Sequence, residues 1–505
     1  MACEKFVNYK PVLNGECIRI AFMFQVASFW PSWESFYFAC ENDSRINVRL
    51  YLVTDNVDEA WQLRTAKSFL EQNKLQYVEF SDADFEKYSA HIAVLQTPYD
   101  ILQRSPHLYS RTLTDKGIRV VYIPYGIEIA DTRAARHDHF RETVINNAWR
   151  IYTFSDAATL EYKKYCNNSS SVRAVGLPRF DAYASQARLA SLEQANITAG
   201  NRQIIVWHTH FSKTIDTAVG KCQVTPHLDE YIHFAKTISQ YADKLFFIFM
   251  PHPRFGDDAV DKENNRKSAE LLKVLSSTDN TFIDRADDYR PSLLSAKAII
   301  TDRSALMIEA ALVDVPILYM KNPDYSEPMF PPLSRLVDSY SQGFYYTDME
   351  KFLERILLGA DDHQEWRRKA LSECIPCLDA KSGERVMEDI ISSIYSFEPL
   401  MTAKRIVLFG LGFLYKKIMS YYSFPDSIEI VAVSDNDSTK WGMEFGGVKC
   451  VPPYEINSIE FDKIIIMTTN VFAEQIYKQL YFDVEIPSSK IESCEFLAVW
   501  EDKEQ

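Results

Sequence analysis

No stretch of this chain approaches the roughly twenty consecutive apolar residues that span a bilayer, so no membrane-crossing helix is expected. Nor is there a basic excess. Lys and Arg number 55 against 70 Asp and Glu, a net charge of -15, which excludes the concentrated cation field that binding to a nucleic-acid backbone requires. A local basic patch is still enough for a single sugar nucleotide. Paired cysteine spacing is also missing: nine cysteines are scattered, with one CxxC, Cys374-Ile375-Pro376-Cys377, and no second pair. That argues against a disulfide framework and a structural zinc, and for a reducing compartment. The opening Met1-Ala2-Cys3-Glu4-Lys5 has no long apolar run behind it, so no secretory signal is expected and the protein is placed in the cytoplasm.

What is present is globular composition, 47% hydrophobic and 25% charged over 505 residues, enough for three domains of ordinary size. Apolar runs at Ile18–Phe24, Val48–Val53, Ile92–Leu95, Arg119–Ile123 and Ile151–Phe154 alternate with helical patterns such as Asp58 to Asn73. Such alternation means a parallel sheet covered on both faces. A polar helical stretch between Ser185 and Asn201 ends this half, and a fresh strand starts at Gln203-Ile204-Ile205-Val206-Trp207. The second half runs through strands at Leu245–Met250, Thr281–Ile283, Ala298–Thr301 and Val315–Met320, then a helical region from Asp348 to Ser396. The expected fold is α/β: domains at 1–195 and 196–400, each Rossmann-like, and a Rossmann-like module at 401–505.

Two motifs suggest chemistry. The run Ala298-Ile299-Ile300-Thr301 leads into Asp302-Arg303-Ser304 and a helix carrying Glu309. A helix start there would offer unpaired N–H groups to a phosphate, with Glu309 within reach of a ribose hydroxyl. The plainer reading is that Asp302 or Ser304 caps a helix packed on a sheet. Leu245–Met250 ends in Pro251-His252-Pro253-Arg254, beyond the carboxyl end of a strand, where open parallel sheets bind ligands. There His252 can donate to a phosphate oxygen and Arg254 can fork onto one. In the tail, Gly410-Leu411-Gly412 and Asp435 resemble the opening of a dinucleotide fold, although Tyr415 replaces the third glycine. Either an accessory nucleotide or a scaffolding role fits that module.

In order along the chain, Gln96-Thr97-Pro98-Tyr99-Asp100, Ile123-Pro124-Tyr125-Gly126, Gly176-Leu177-Pro178-Arg179-Phe180-Asp181, His252-Pro253 and Asp302-Arg303-Ser304 with Glu309 resemble the CDP-glycerol glycerophosphotransferase family, which builds teichoic-acid-type polymers. The resemblance implies a GT-B fold, two Rossmann-like halves facing across a cleft, with a late helix crossing back to the first half. It also implies a cytidine-linked donor held by His252, Arg254, Asp302, Arg303, Ser304 and Glu309, with Gln96, Tyr99 and Tyr125 on the acceptor side. A similar histidine-proline and serine pairing occurs in bacterial sialyl- and Kdo-type transferases, so the transferred group, glycosyl or polyol phosphate, stays open. No cofactor and no metal are expected beyond that donor. The implied acceptor is a surface polysaccharide or lipid-linked chain, reached by peripheral contact at the inner membrane face, for which Phe29-Trp30-Pro31-Ser32-Trp33 is the candidate patch.

The resemblance also implies a histidine before glycine in the first half, where this chain has Tyr125. A phenol with a pKa near 10 is a poor base at neutrality. The replacement candidates are Asp100, Glu128, His208 and His210, the two histidines lying at i and i+2 on a strand and so on one face. The alternative is a GT-B-like nucleotide-binding or assembly protein that has lost catalysis.

Overall fold

The computed structural model describes residues 9–10, 12, 16–54, 60–165, 171–184, 199–217, 220–257, 264–396, 405–419, 428–468, 470–487 and 490–493. The polar stretch 185–198 lies outside the described residues. In the first half, β1 (Ile18–Phe24), β2 (Ile46–Leu52), β3 (Val78–Glu79), β4 (Ile92–Leu95), β5 (Arg119–Tyr122), β6 (Arg150–Thr153) and β7 (Val172–Ala174) form one parallel sheet, ordered β3-β2-β1-β4-β5-β6-β7. Every residue of β4 and β5 is buried, the reason those strands read as unbroken runs rather than alternating ones. The Trp/Phe-rich segment after β1 makes a 3₁₀ turn and then helix α1 (Glu34–Glu41), and α2 (Pro178–Ala184) follows β7.

The second half holds β8 (Gln203–Thr209), a hairpin of β9 (Thr214–Thr217) and β10 (Gly220–Gln223), then β11 (Leu245–Pro251), β12 (Thr281–Ile283), β13 (Ala298–Thr301), β14 (Ile317–Met320) and β15 (Ser341–Gly343). The hairpin set aside, the order β12-β11-β8-β13-β14-β15 is that of a doubly wound nucleotide-binding sheet, whose first strand is central and whose order reverses beside it. Alternate residues split between two cores: Ile204 and Val206 face the one shared with the first half, Ile205 and Trp207 the outer one. The short helix α3 (Leu306–Ala310) follows β13.

The region after β15 is three helices, and the last, α4 (Ser382–Ser396), returns to pack on α1 and α2 of the first half. Its start is held by Asp181, whose carboxylate accepts from the Ser382 and Gly383 backbone N–H at 3.1 and 2.9 Å. An acid there satisfies orphan donors and suits the helix dipole. Gly383 lies so close to α1 that a Cβ would stand 2.3 Å from the Ser35 carbonyl carbon. Buried Val386, Ile390 and Ile394 form one stripe at four-residue spacing, each burial contributing about 1.5–3 kcal/mol. A boundary drawn at residue 400 therefore assigns to the second half a helix that packs on the first.

The third sheet contains β16 (Arg405–Phe409), β17 (Glu429–Ser434), β18 (Glu444–Phe445), β19 (Val448–Val451), β20 (Lys463–Ile466) and β21 (Ile491–Ser493), in the order β18-β19-β17-β16-β20-β21. It is parallel except for its β18 edge, and helix α5 (Phe413–Met419) follows β16. Among the described residues no helix is long and apolar enough to cross a membrane.

Candidate active site

The carboxyl ends of β8, β11 and β13 meet at the point where strand order reverses, and a cavity of about 430 Å³ opens there against the first half. His208, His252, Ser304 and Glu309 line it from the second half; Phe29, Tyr125 and Arg179 line it from the first. The halves also join by backbone pairing: Asp131 N donates to Pro328 O at 2.7 Å and Phe330 N to Ile129 O at 2.8 Å.

Hydrogen bonds set the protons on the two cavity histidines in opposite senses. Nδ1 of His252 accepts from the Arg254 backbone N–H at 3.1 Å, so its neutral ring carries hydrogen on Nε2 and is a donor there. His208 is reversed, with Nδ1–H donating to the Met250 carbonyl at 2.7 Å and the lone pair on Nε2. Burial keeps both rings neutral, pushing His208 down to about 4 and His252 to about 3. Ser304 Oγ accepts from Leu306 N at 3.1 Å, which leaves its O–H to donate.

Other residues singled out from the sequence have different neighbours. Asp302 is fully buried and accepts from Thr209 Oγ1, His210 N and Tyr231 OH at 2.7, 2.8 and 3.0 Å. It ties β13 to the end of β8 and does not line the cavity; burial raises its carboxyl to about 7. The helix starts at Leu306, not Ser304, and its five residues give too short a dipole to seat an anion unaided. Arg303 is paired with Glu327, and Arg254 lies beside Asp257 and over the Phe211 ring, both off the cavity lining. β8 ends at Thr209, and His210, one residue beyond it, does not line the cavity that His208 lines; its Nδ1–H donates to Phe211 O and its ring lies 4.6 Å from that of His252.

In the first half, Asp100 is buried on Arg104 and on the Ser110 N–H and O–H, Glu128 accepts from Ile129 N and Ala130 N, and Gln96 clamps the Gln25–Val26 backbone. None of the three lines the main cavity. Tyr99 reaches it through Tyr125, their hydroxyls 3.2 Å apart, and Tyr125 stacks on Phe29 at 4.2 Å. Trp30 and Trp33 are buried beneath, so the proposed aromatic surface patch is a core element with Phe29 turned into the cleft.

Glu309 has inward company. It is 2% exposed, pairs with Arg179 at 2.7 Å, and accepts from Tyr183 OH at 2.7 Å and Tyr289 OH at 2.8 and 2.9 Å. Arg179 also donates to the Tyr125 carbonyl and the Tyr289 hydroxyl. With both oxygens occupied, Glu309 latches α2 to α3 instead of waiting for a ribose. The loop after β12 adds residues absent from the sequence-based site: Asp284, Arg285, Asp287 and Tyr289 all line the cavity. Its position at the end of a parallel strand was the available signal.

In the third module Gly410 has φ +97°, a conformation glycine alone adopts easily, and its N–H donates to Ser434 O. Asp435 is occupied: Oδ2 accepts from Leu411 N at 2.6 Å and Lys440 Nζ at 2.9 Å. Tyr415, at the third glycine position, fills the core under α5. An added Cβ at Gly412 would meet nothing within 4 Å, so no close approach requires that glycine.

Residues 125–392, more than half of the chain, match the model of the CDP-glycerol:poly(glycerophosphate) glycerophosphotransferase family. The chain belongs to that family. Residues 402–492 match a separate model described as C2185-like, N-terminal. Among solved structures, the wall teichoic acid polymerase TagF superposes with a TM-score of 0.50 at 12% identity, covering 78% of this chain and 91% of that one. A UDP-N-acetylglucosamine 2-epimerase gives 0.52 at 12%, covering 75% and 97%, and the Neisseria meningitidis enzyme bound to UDP-GlcNAc gives 0.50 at 11%, covering 74% and 100%. At such identities the likeness establishes the GT-B arrangement alone. No curated protein sequence matches. Within this glycerophosphotransferase family member, the matched segment begins at Tyr125 and takes in Arg179, His208, His252, Ser304 and Glu309.

Proposed function

We propose that this protein transfers a polyol-phosphate or glycosyl group from a cytidine-nucleotide donor to a growing cell-surface polymer. The observation that carries the reading is the convergence of two neutral donors, His252 Nε2–H and the Ser304 hydroxyl, on one cavity walled by both halves. Preorganised donors of this kind stabilise phosphoryl charge as the leaving nucleotide departs. Arg285, exposed at the cavity, supplies a cation for the diphosphate. The aromatic wall of Phe29 and Tyr125 faces these groups from the first half, on the acceptor side.

The acceptor is a polysaccharide or lipid-linked chain, met by peripheral contact with the membrane. Ile101 and Leu102, 72% and 64% exposed, are the apolar pair the first half offers such a surface. Tyr125 favours a second reading, a nucleotide-binding assembly protein without turnover, since its ring is packed on Phe29 and its hydroxyl meets Tyr99. Calorimetric titration with CDP, CMP and UDP, followed by an assay for CMP release from CDP-glycerol, separates the two. Binding with release supports the transferase, and binding without release supports the assembly protein.

A further inference from the structure

The cavity contains one group that the donor reading leaves unused. Nε2 of His208 is buried and has no hydrogen-bond partner, while the same ring is locked through Nδ1–H to the Met250 carbonyl. A buried acceptor without a donor is costly, and a side chain kept that way at the head of a cleft implies a ligand hydrogen to meet it. We propose that His208 Nε2 takes the proton from the acceptor hydroxyl during transfer. This inference rests on the transferase reading above.

Geometry sets four of the rivals aside. His252 carries its hydrogen on Nε2 and cannot accept there, and His210 lies off the cavity. Asp284 is held by Ser292 and the Ala286 N–H, and Glu309 by Arg179 and two tyrosines. Asp287 lines the same cavity from the loop after the edge strand β12, and the Asp287→Asn variant below is the comparison that separates it from His208. His208 sits at the end of β8 itself. Burial keeps it neutral before the reaction, so the Nε2 lone pair is available, and also weakens the ring as a base until an anionic donor is bound.

In the step, the acceptor oxygen bonds to the donor phosphorus that carries the transferred group, and the P–O bond to CMP breaks. The electron pair leaves with CMP, and the hydroxyl proton passes to Nε2. The resulting imidazolium passes its proton to solvent once CMP has left. His252 Nε2–H and His208 Nε2 thus divide the work, one donating to the leaving group and the other accepting from the nucleophile.

The test uses the full chain, CDP-glycerol as donor and an oligo(glycerol phosphate) primer as acceptor, with CMP release as readout. His208→Asn is the informative variant, because its amide can still donate to the Met250 carbonyl while Nε2 is gone. Expected are a fall in kcat of about a hundredfold to ten-thousandfold, CDP affinity within about threefold of wild type, and partial recovery with added imidazole. Turnover of His208→Asn within about threefold of wild type overturns the assignment, as does loss confined to Asp287→Asn, since a real base contributes at least about a hundredfold. If the wild-type protein itself binds CDP but releases no CMP, the transferase reading fails, and this inference with it.

Discussion

Removing the Glu309 carboxylate should do more damage than any surface ion pair would. The Arg179 and Glu309 side chains are 6% and 2% exposed, and Tyr183 and Tyr289 donate to the same carboxylate. In Glu309→Ala the guanidinium stays buried without its counter-charge and two phenols lose an acceptor, a class of change that costs about 3–5 kcal/mol. For a unit of about 200 residues that corresponds to a midpoint lowered by roughly 6–20 °C. Replacing both partners, Arg179→Met with Glu309→Leu, removes the orphan as well as the pair, so the double variant should lose less than Glu309→Ala alone. Urea unfolding of the wild type, both single variants and the double variant measures the coupling. A cost below about 1 kcal/mol for Glu309→Ala, or strict additivity, would refute the latch.

Ser304→Ala and His252→Ala should each lower CMP release at least about tenfold while the chain still folds, the loss of the Leu306 and Arg254 N–H acceptors costing about 0.5–2 kcal/mol of stability. The CMP-release assay and thermal unfolding read the two effects separately. Because burial holds the His208 and His252 rings below the ordinary imidazole value, the unfolded chain binds protons that the folded chain does not as pH falls from about 6.5 toward 4. Stability is then fully present above about 6.5 and falls by roughly 1.4 kcal/mol per pH unit for each ring, a slope that His208→Asn should reduce by one ring's share in urea titrations between pH 4.5 and 7. Gly383→Ala should break the seat of α4 on α1, and a variant as stable as wild type would contradict the close approach at Ser35. Ending the chain before residue 400 should leave CDP binding intact, since every cavity-lining residue precedes that point.

The halves were legible because their central strands are buried on both faces: Ile18–Phe24 and Ile92–Leu95 have the bounds their apolar runs suggest, and the half-buried edge strand Thr281–Ile283 also keeps the bounds of its short run. Short strands such as β7 and β15, three residues each and polar in part, carry no such signal. At the site, the ends of parallel strands pointed to His208, His252 and Ser304, because strand direction alone sets which end faces a ligand. The partners of Asp302, Arg303 and Glu309 were not legible. An acid beside a strand end reads alike whether it meets a ribose or, as here, a tyrosine dozens of residues away in sequence. Trp30 and Trp33 misled for a related reason: a cluster of aromatics does not say which side of the sheet it covers.

The most direct measurement is calorimetric titration of CDP and UDP into the wild-type protein and into Ser304→Ala. One CDP should bind per chain, at least about tenfold tighter than UDP, about 1.4 kcal/mol, and weaken on loss of the Ser304 hydroxyl. Equal affinity for the two nucleotides, or CDP binding indifferent to Ser304, would contradict a cytidine donor seated in this cleft.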